Sequence, residues 1–152
     1  MKMLVCTDGS EQSQKAVEKA IIIAKGCLVK DILIIHVDDG KQDFPSFTRG
    51  SNGFVATKEI EQFLKIKEEK EAEGNKILAD AREAFAKEGL KAKTLLAKGH
   101  PANTIVSVAC EKGYDLIVIG SRGLGGLKKV FLGSVSNAVT QEVKNSSILT
   151  VK

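Results

Sequence analysis

Leu116-Ile-Val-Ile-Gly120-Ser-Arg-Gly123-Leu-Gly-Gly126-Leu-Lys-Lys-Val-Phe-Leu-Gly133-Ser134 joins two kinds of order. Leu116 to Ile119 form an unbroken apolar run, the pattern of a strand buried on both faces. Beyond Ser134, the residues Val135, Ala138, Val139 and Val143 fall on one side of a helix. A glycine-rich loop between a strand end and a helix start offers backbone N–H groups and a positive helix end to a phosphate. A single glycine there would read as a turn needing φ > 0. Five glycines followed by Ser134 read better as a phosphate cradle.

The same alternation extends outward in both directions. Met3–Cys6 is a short strand. Ser10 then supplies an N-cap hydroxyl, Glu11 suits the positive helix end, and Ala16, Val17, Ala20, Ile21, Ile23 and Ala24 give a helical face ended by Gly26. Asp31–Val37 is a second strand, apolar on both faces. Lys91–Ala97 is a third, less apolar and so nearer an edge. Pro101 opens a helix where its missing N–H costs nothing, with Ile105, Val106 and Ala109 inward and Gly113 closing it. Leu116–Ile119 is the fourth strand and Ser147–Val151 the fifth. Five strands alternating with four helices predict one α/β domain over residues 1–152: an open, doubly wound, five-stranded parallel sheet, Rossmann-like, with helices on both faces.

The middle of the chain fits that frame less simply. Asp39–Thr57 is rich in Gly, Ser, Asp and Asn and reads as a loop. Lys58–Glu88 is helix-compatible throughout, about 45 Å at ~1.5 Å per residue, longer than a strand can cover. Ile77, Leu78, Ala81 and Phe85 form a patch expected to dock on the sheet. Ile60, Phe63 and Leu64 form a second patch that overhangs, and between them Lys67 to Gly74 is nearly all charged. The overhang either closes over a ligand, contacts another subunit, or is a solvated extension.

Composition removes several classes. An apolar fraction of 43% and a charged fraction of 28% are ordinary for a globular protein. The net charge of +4 comes from lysines interleaved with glutamates, a solvated surface rather than a nucleic-acid stripe. Cys6, Cys27 and Cys110 are too scattered for a disulfide framework or a zinc site, and Cys27 and Cys110 read as small core residues. No apolar run nears the ~20 residues that span a bilayer, and no signal-peptide core precedes the first strand. A cytoplasmic location without membrane attachment is expected.

In open α/β sheets ligands sit outside the carboxyl ends of the strands, where the winding reverses. Those ends are Cys6-Thr7-Asp8-Gly9 and Gly120, so Asp8 would face the glycine loop if the two strands are neighbours. A P-loop needs lysine after its second glycine, and here Gly126 is followed by Leu127. The dinucleotide fingerprint would follow the first strand, where Asp8-Gly9-Ser10-Glu11-Gln12-Ser13 lacks the glycines and carries two acids.

What remains is Gly-x2-Gly-x9-Gly-Ser at Gly120, Gly123, Gly133 and Ser134. Together with Thr7-Asp8, Gly99-His100-Pro101 and the closing Ile-Leu-Thr-Val, it resembles the universal stress protein family, in its ATP-binding branch, over essentially the whole chain. The resemblance implies that Gly120 and Gly123 let the loop backbone approach ribose and phosphates. It implies that Gly133, Ser134, Val135 and Ser136 hold the phosphates, that Thr7 and Asp8 contact the adenosine, and that Val37 meets the adenine. It implies ATP, with ADP and AMP as alternatives, a Mg2+ or Mn2+ ion with the phosphates, and a homodimer through Ile148 to Val151. Cys6 stands beside this site where the family often has proline or valine; its thiol either packs or has a redox role. Arg122 either pairs with a phosphate or points to solvent. His36 reads as a packed strand residue and His100 as a helix-entry residue.

Three functions follow from these readings. The first is an ATP-binding regulator or sensor in the stress response, since no general base stands beside the loop. The second is a slow ATP hydrolase. The third is a dimeric scaffold whose nucleotide site is vestigial.

Overall fold

The computed structural model describes residues 1–40, 57–123 and 132–152. Along them strands and helices alternate: β1 (Lys2–Cys6), α1 (Glu11–Gly26), β2 (Asp31–Asp38), α2 (Thr57–Lys87), β3 (Lys93–Lys98), α3 (Pro101–Lys112), β4 (Leu116–Gly120), α4 (Ser134–Glu142) and β5 (Ser147–Val151). The strands form one sheet in the order β3-β2-β1-β4-β5, every pair parallel. The doubly wound α/β sheet expected from the sequence is the fold found. β3 and β5 are the edges, which explains the weaker apolar character of Lys93–Lys98. That strand starts two residues later than its sequence suggests, because the ladder opens at Leu33–Lys93 while Leu90 and Ala92 pack against the core.

Each central strand feeds two cores. Met3 and Val5 face Ala16, Val17, Ala20, Leu78, Ala81 and Phe85, which puts α1 and α2 on one face. Leu4 and Cys6 face Ala102, Ile105, Ala109 and Val139, which puts α3 and α4 on the other. The winding therefore reverses between β1 and β4, and the crevice at the switch point opens where β1 and β4 end. Gly113 closes α3 in the left-handed conformation, φ 63°, as its position predicts. Cys27 and Cys110 depart from expectation. Both are exposed: Cys27 lies past the last turn of α1, and Cys110 falls one residue beyond the buried Ala109, on the outer face of α3.

α2 is continuous over 31 residues, about 46 Å at ~1.5 Å per residue. Leu78, Ala81 and Phe85 are buried against the sheet. Ile60 and Leu64 are 46% and 51% exposed. Gly74 passes over His36 and Leu96, near the carboxyl ends of β2 and β3, and Glu71 meets Lys98 at the tip of β3, 3.3 Å away. Earlier residues of α2 project past the carboxyl edge, on the crevice side of the molecule. The expected 39–57 loop falls largely outside the described residues. Among the described residues, no helix is long and apolar enough to cross a membrane.

Candidate functional site

The turn after β1 is built by short polar residues bonding their own backbone. Thr7 N donates to Ile35 O at 3.0 Å, continuing the ladder one step past the strand. Asp8 Oδ1 accepts from Ser10 N at 3.0 Å and from Ser10 Oγ at 2.6 Å. Ser10 Oγ accepts from Ser13 N at 3.3 Å, so Ser10 is the N-cap its sequence position predicts. Ser13 Oγ donates to Ser10 O at 2.9 Å. The Thr7 hydroxyl, 3.2 Å from Ser13 Oγ, must therefore donate into that network. Thr7 frames the turn; its hydroxyl is directed into the start of α1.

Gly120 ends β4 against the backbone of α1. A Cβ there would sit 2.9 Å from Gln12 C and 3.0 Å from Gln12 O and Ser13 N, and none of these can swing aside. The glycine permits close helix–strand packing, so Gly120→Ala is expected to cost about 1–3 kcal/mol, as overpacking against fixed atoms does. A fall in urea midpoint with unchanged slope checks it; an unchanged midpoint refutes it.

Beyond Gly120 the two ends of the glycine loop are stapled together. Ser121 N donates to Val151 O, and Ser121 O accepts from Gly133 N, both at 2.6 Å. Ser121 O also accepts from Ser136 Oγ at 3.0 Å. Residues 124–131, with Gly125, Gly126, Lys128 and Lys129, lie outside the described residues. The helix that follows starts without a side-chain cap. Gly133 is its N-cap, φ −71° and ψ 161°, and Ser134 is its first helical residue. The first turn holds no acidic residue. The first intrahelical bond runs from Asn137 N to Gly133 O at 2.9 Å, which leaves the N–H groups of Ser134, Val135 and Ser136 directed outward. The buried Ser136 hydroxyl is committed to the Ser121 and Gly133 carbonyls. This helix start offers a ligand its N–H groups and the exposed Ser134 hydroxyl.

β1 and β4 are neighbours, so Asp8 faces the loop across the crevice. A Cβ on Gly123 would overlap Asp8 Oδ2. Arg122 is half-buried beside them. Val37 reaches the crevice through its main chain. Asp38 O bonds Gly99 N on the β3 side and Ile35 O bonds Thr7 N on the β1 side. Backbone groups alternate sides along a parallel strand, so Val37 points its N–H and C=O toward β1, past that strand's last residue.

Cys6 is the exception among the candidates. Its side chain is buried among Leu33, Ile35 and Ile119, and burial pushes the thiol up to about 12. It packs, and supplies no polar group to the crevice. Because the thiolate is the reacting form, Cys6 should alkylate about a thousandfold more slowly than an ordinary thiol at pH 8. Native protein is expected to label rapidly at Cys27 and Cys110 and at all three cysteines in denaturant. Rapid native labelling of Cys6 would refute its burial.

His36 has a role that its sequence position did not reveal. Its Nδ1 lies 2.9 Å from Thr7 O. Only the register Cys6–Ile35 puts residue 36 beside residue 7, and strand order is not written in the local pattern. His100 is the N-cap of α3 and makes no side-chain capping bond. Among the described residues, no three His, Cys, Asp or Glu side chains are grouped to hold a metal.

A sequence model of the universal stress protein family matches residues 1–152. Universal stress protein YxiE of Bacillus subtilis is 43% identical over 141 residues, covering 92% of this chain and 91% of that protein. The solved structure of MJ0577 from Methanocaldococcus jannaschii superposes with a TM-score of 0.75 at 30% identity, covering 99% of this chain and 94% of that one. A universal stress protein crystallised in complex with cAMP has the same fold, with a TM-score of 0.68 at 24% identity, over 99% of this chain and 95% of that one. A glycine loop stapled at the switch point of a 3-2-1-4-5 sheet, and a match along its whole length, make this chain a member of the universal stress protein family.

Proposed function

We propose that this chain binds ATP, or in its place ADP or AMP, at the carboxyl edge of β1 and β4. It acts as a nucleotide-dependent regulator in the stress response rather than as an enzyme that consumes ATP. The observation that carries the reading is the start of α4: three outward N–H groups, no side-chain cap and no acid in the first turn, with Gly133 fixed beside Ser121. Backbone N–H groups at a helix start suit a phosphate chain. Gly120, Gly123 and Arg122 line the approach. The Asp8 carboxylate and the Val37 backbone then receive ribose and adenine, Thr7 and Cys6 holding the β1 end in shape. The family member bound to cAMP supports an adenine nucleotide as the ligand class.

A Mg2+ or Mn2+ ion would arrive on the phosphates, whose oxygens suit such hard cations. Hydrolysis would need a base near the γ-phosphate. The carboxylate at the loop is Asp8, held by Ser10 and assigned here to the nucleoside end. β5 is bonded to β4 and forms a sheet edge. Within Ile148 to Val151 the outward N–H and C=O groups, those of Ile148 and Thr150, are a template for the same strand of a second copy. Light scattering should give a dimer, and proline at Ile148 or Thr150, whose N–H groups point away from β4, a monomer.

Titration calorimetry with ATP and Mg2+, and mass spectrometry of whatever denaturation releases, test the central claim. One site per chain and a released adenine nucleotide are expected; no heat and no nucleotide would end it. Multiple turnovers of ATP, lost in Asp8→Ala, would move the assignment to a hydrolase.

A further inference from the structure

We infer that His36 is a positioning residue for the nucleotide site, fixing the Thr7–Asp8 turn from behind; the inference rests on the nucleotide reading above. A carbonyl oxygen only accepts, so the 2.9 Å contact between His36 Nδ1 and Thr7 O requires the proton on Nδ1. That bond holds the peptide joining Thr7 to Asp8. Asp8 in turn bonds Ser10 and lies against Gly123, so the orientation of one peptide group sets where the carboxylate meets the loop.

The ring is itself fixed from the far side by α2. A Cβ at Gly74 would lie 3.0 Å from His36 Cδ2 and 2.8 Å from Leu96 Cδ1, so the helix passes close against the ring and a methyl group there would have to push the ring and the Leu96 side chain aside. One turn further along α2, Ile77 meets the same loop directly. A Cβ at Gly9 would lie 3.0 Å from Ile77 Cδ1, and Gly9 itself has φ +79°, a conformation that favours glycine. The turn is thus held at Thr7 through the His36 ring and at Gly9 by Ile77. Neither residue reaches the ligand. Both act through the turn.

Three variants and one spectrum test this in the full chain. His36→Phe keeps a ring of similar size but removes the donor, and should weaken ATP binding about tenfold by calorimetry. His36→Asn places an amide N–H near the Nδ1 position and should recover affinity to within about threefold of wild type. Gly74→Ala crowds the ring without touching its chemistry and should weaken binding several-fold. Rescue by asparagine separates positioning from bulk packing, which His36→Phe preserves. Wild-type affinity in His36→Phe, or no rescue by His36→Asn, overturns the inference. In the free protein, nitrogen-correlated NMR should show a proton on Nδ1 of the His36 ring. A ring whose Nδ1 carries no proton overturns the inference whether or not ATP binds, whereas a wild-type protein that ignores ATP refutes the nucleotide reading instead.

Discussion

Gly123→Val is expected to weaken ATP binding at least about 100-fold while leaving the sheet folded. The residue is exposed, so a side chain there removes little from the core. Its φ lies outside the left-handed region, so valine adds no backbone strain of that kind. What it adds is bulk on a surface where the loop meets Asp8, since even a methyl group overlaps the carboxylate. Either Asp8 gives up Ser10 or the loop backs away from the crevice. Losing two charge-assisted hydrogen bonds between the protein and the bound nucleotide, each worth about 1.5–3 kcal/mol, gives the hundredfold or more. Calorimetry supplies the affinity and a urea melt the control. Wild-type affinity in a folded Gly123→Val protein would show that the loop does not approach the ligand.

Phe85→Ala should lower stability by about 3–5 kcal/mol, the usual cost of emptying a buried aromatic site. Phe85 is fully buried, and with Leu78 and Ala81 it forms the docked half of α2. The remaining helix is fastened mainly at Gly74, Ile77 and the exposed Glu71–Lys98 pair, and such a pair contributes little in water. The cavity would therefore open beneath a helix with few other anchors. A lower urea midpoint at constant slope is the expected result. A loss under 1 kcal/mol would mean that α2 is not seated as described.

The fold was legible because a parallel sheet leaves a coarse signature. Leu116–Ile119 and Asp31–Val37 are apolar on both faces, and the caps Ser10 and Gly113 work through local geometry alone. Strand order was not legible in this way, and the contacts that depend on it were missed. His36 meets Thr7 across 29 positions of sequence, and nothing in Ile-Ile-His-Val announces a carbonyl partner. The loop glycines teach the same lesson. A turn reading requires positive φ, yet among the described glycines that property belongs to Gly9, Gly40, Gly89, Gly99 and Gly113. Gly120, Gly123 and Gly133 have ordinary φ; backbone atoms of α1 at Gly120 and the Asp8 carboxylate at Gly123 come too close for a side chain, and at Gly133 Ser121 O leaves a tight fit. Closeness of approach depends on the assembled fold, so the spacing motif was visible while its reasons were not. Cys27 and Cys110 went the other way: the apolar pattern around them was real, but each sits just off its face.

The unbroken run of α2 also has a mechanical side. A stiff rod gripped near Gly74 and projecting beyond the sheet behaves as a lever. Thr57 lies about 25 Å from that grip at ~1.5 Å per residue, so a tilt of five degrees moves the tip by about 2 Å. A displacement too small to break one hydrogen bond at the His36 ring is enlarged at the far end to the scale on which another protein's surface can tell two shapes apart.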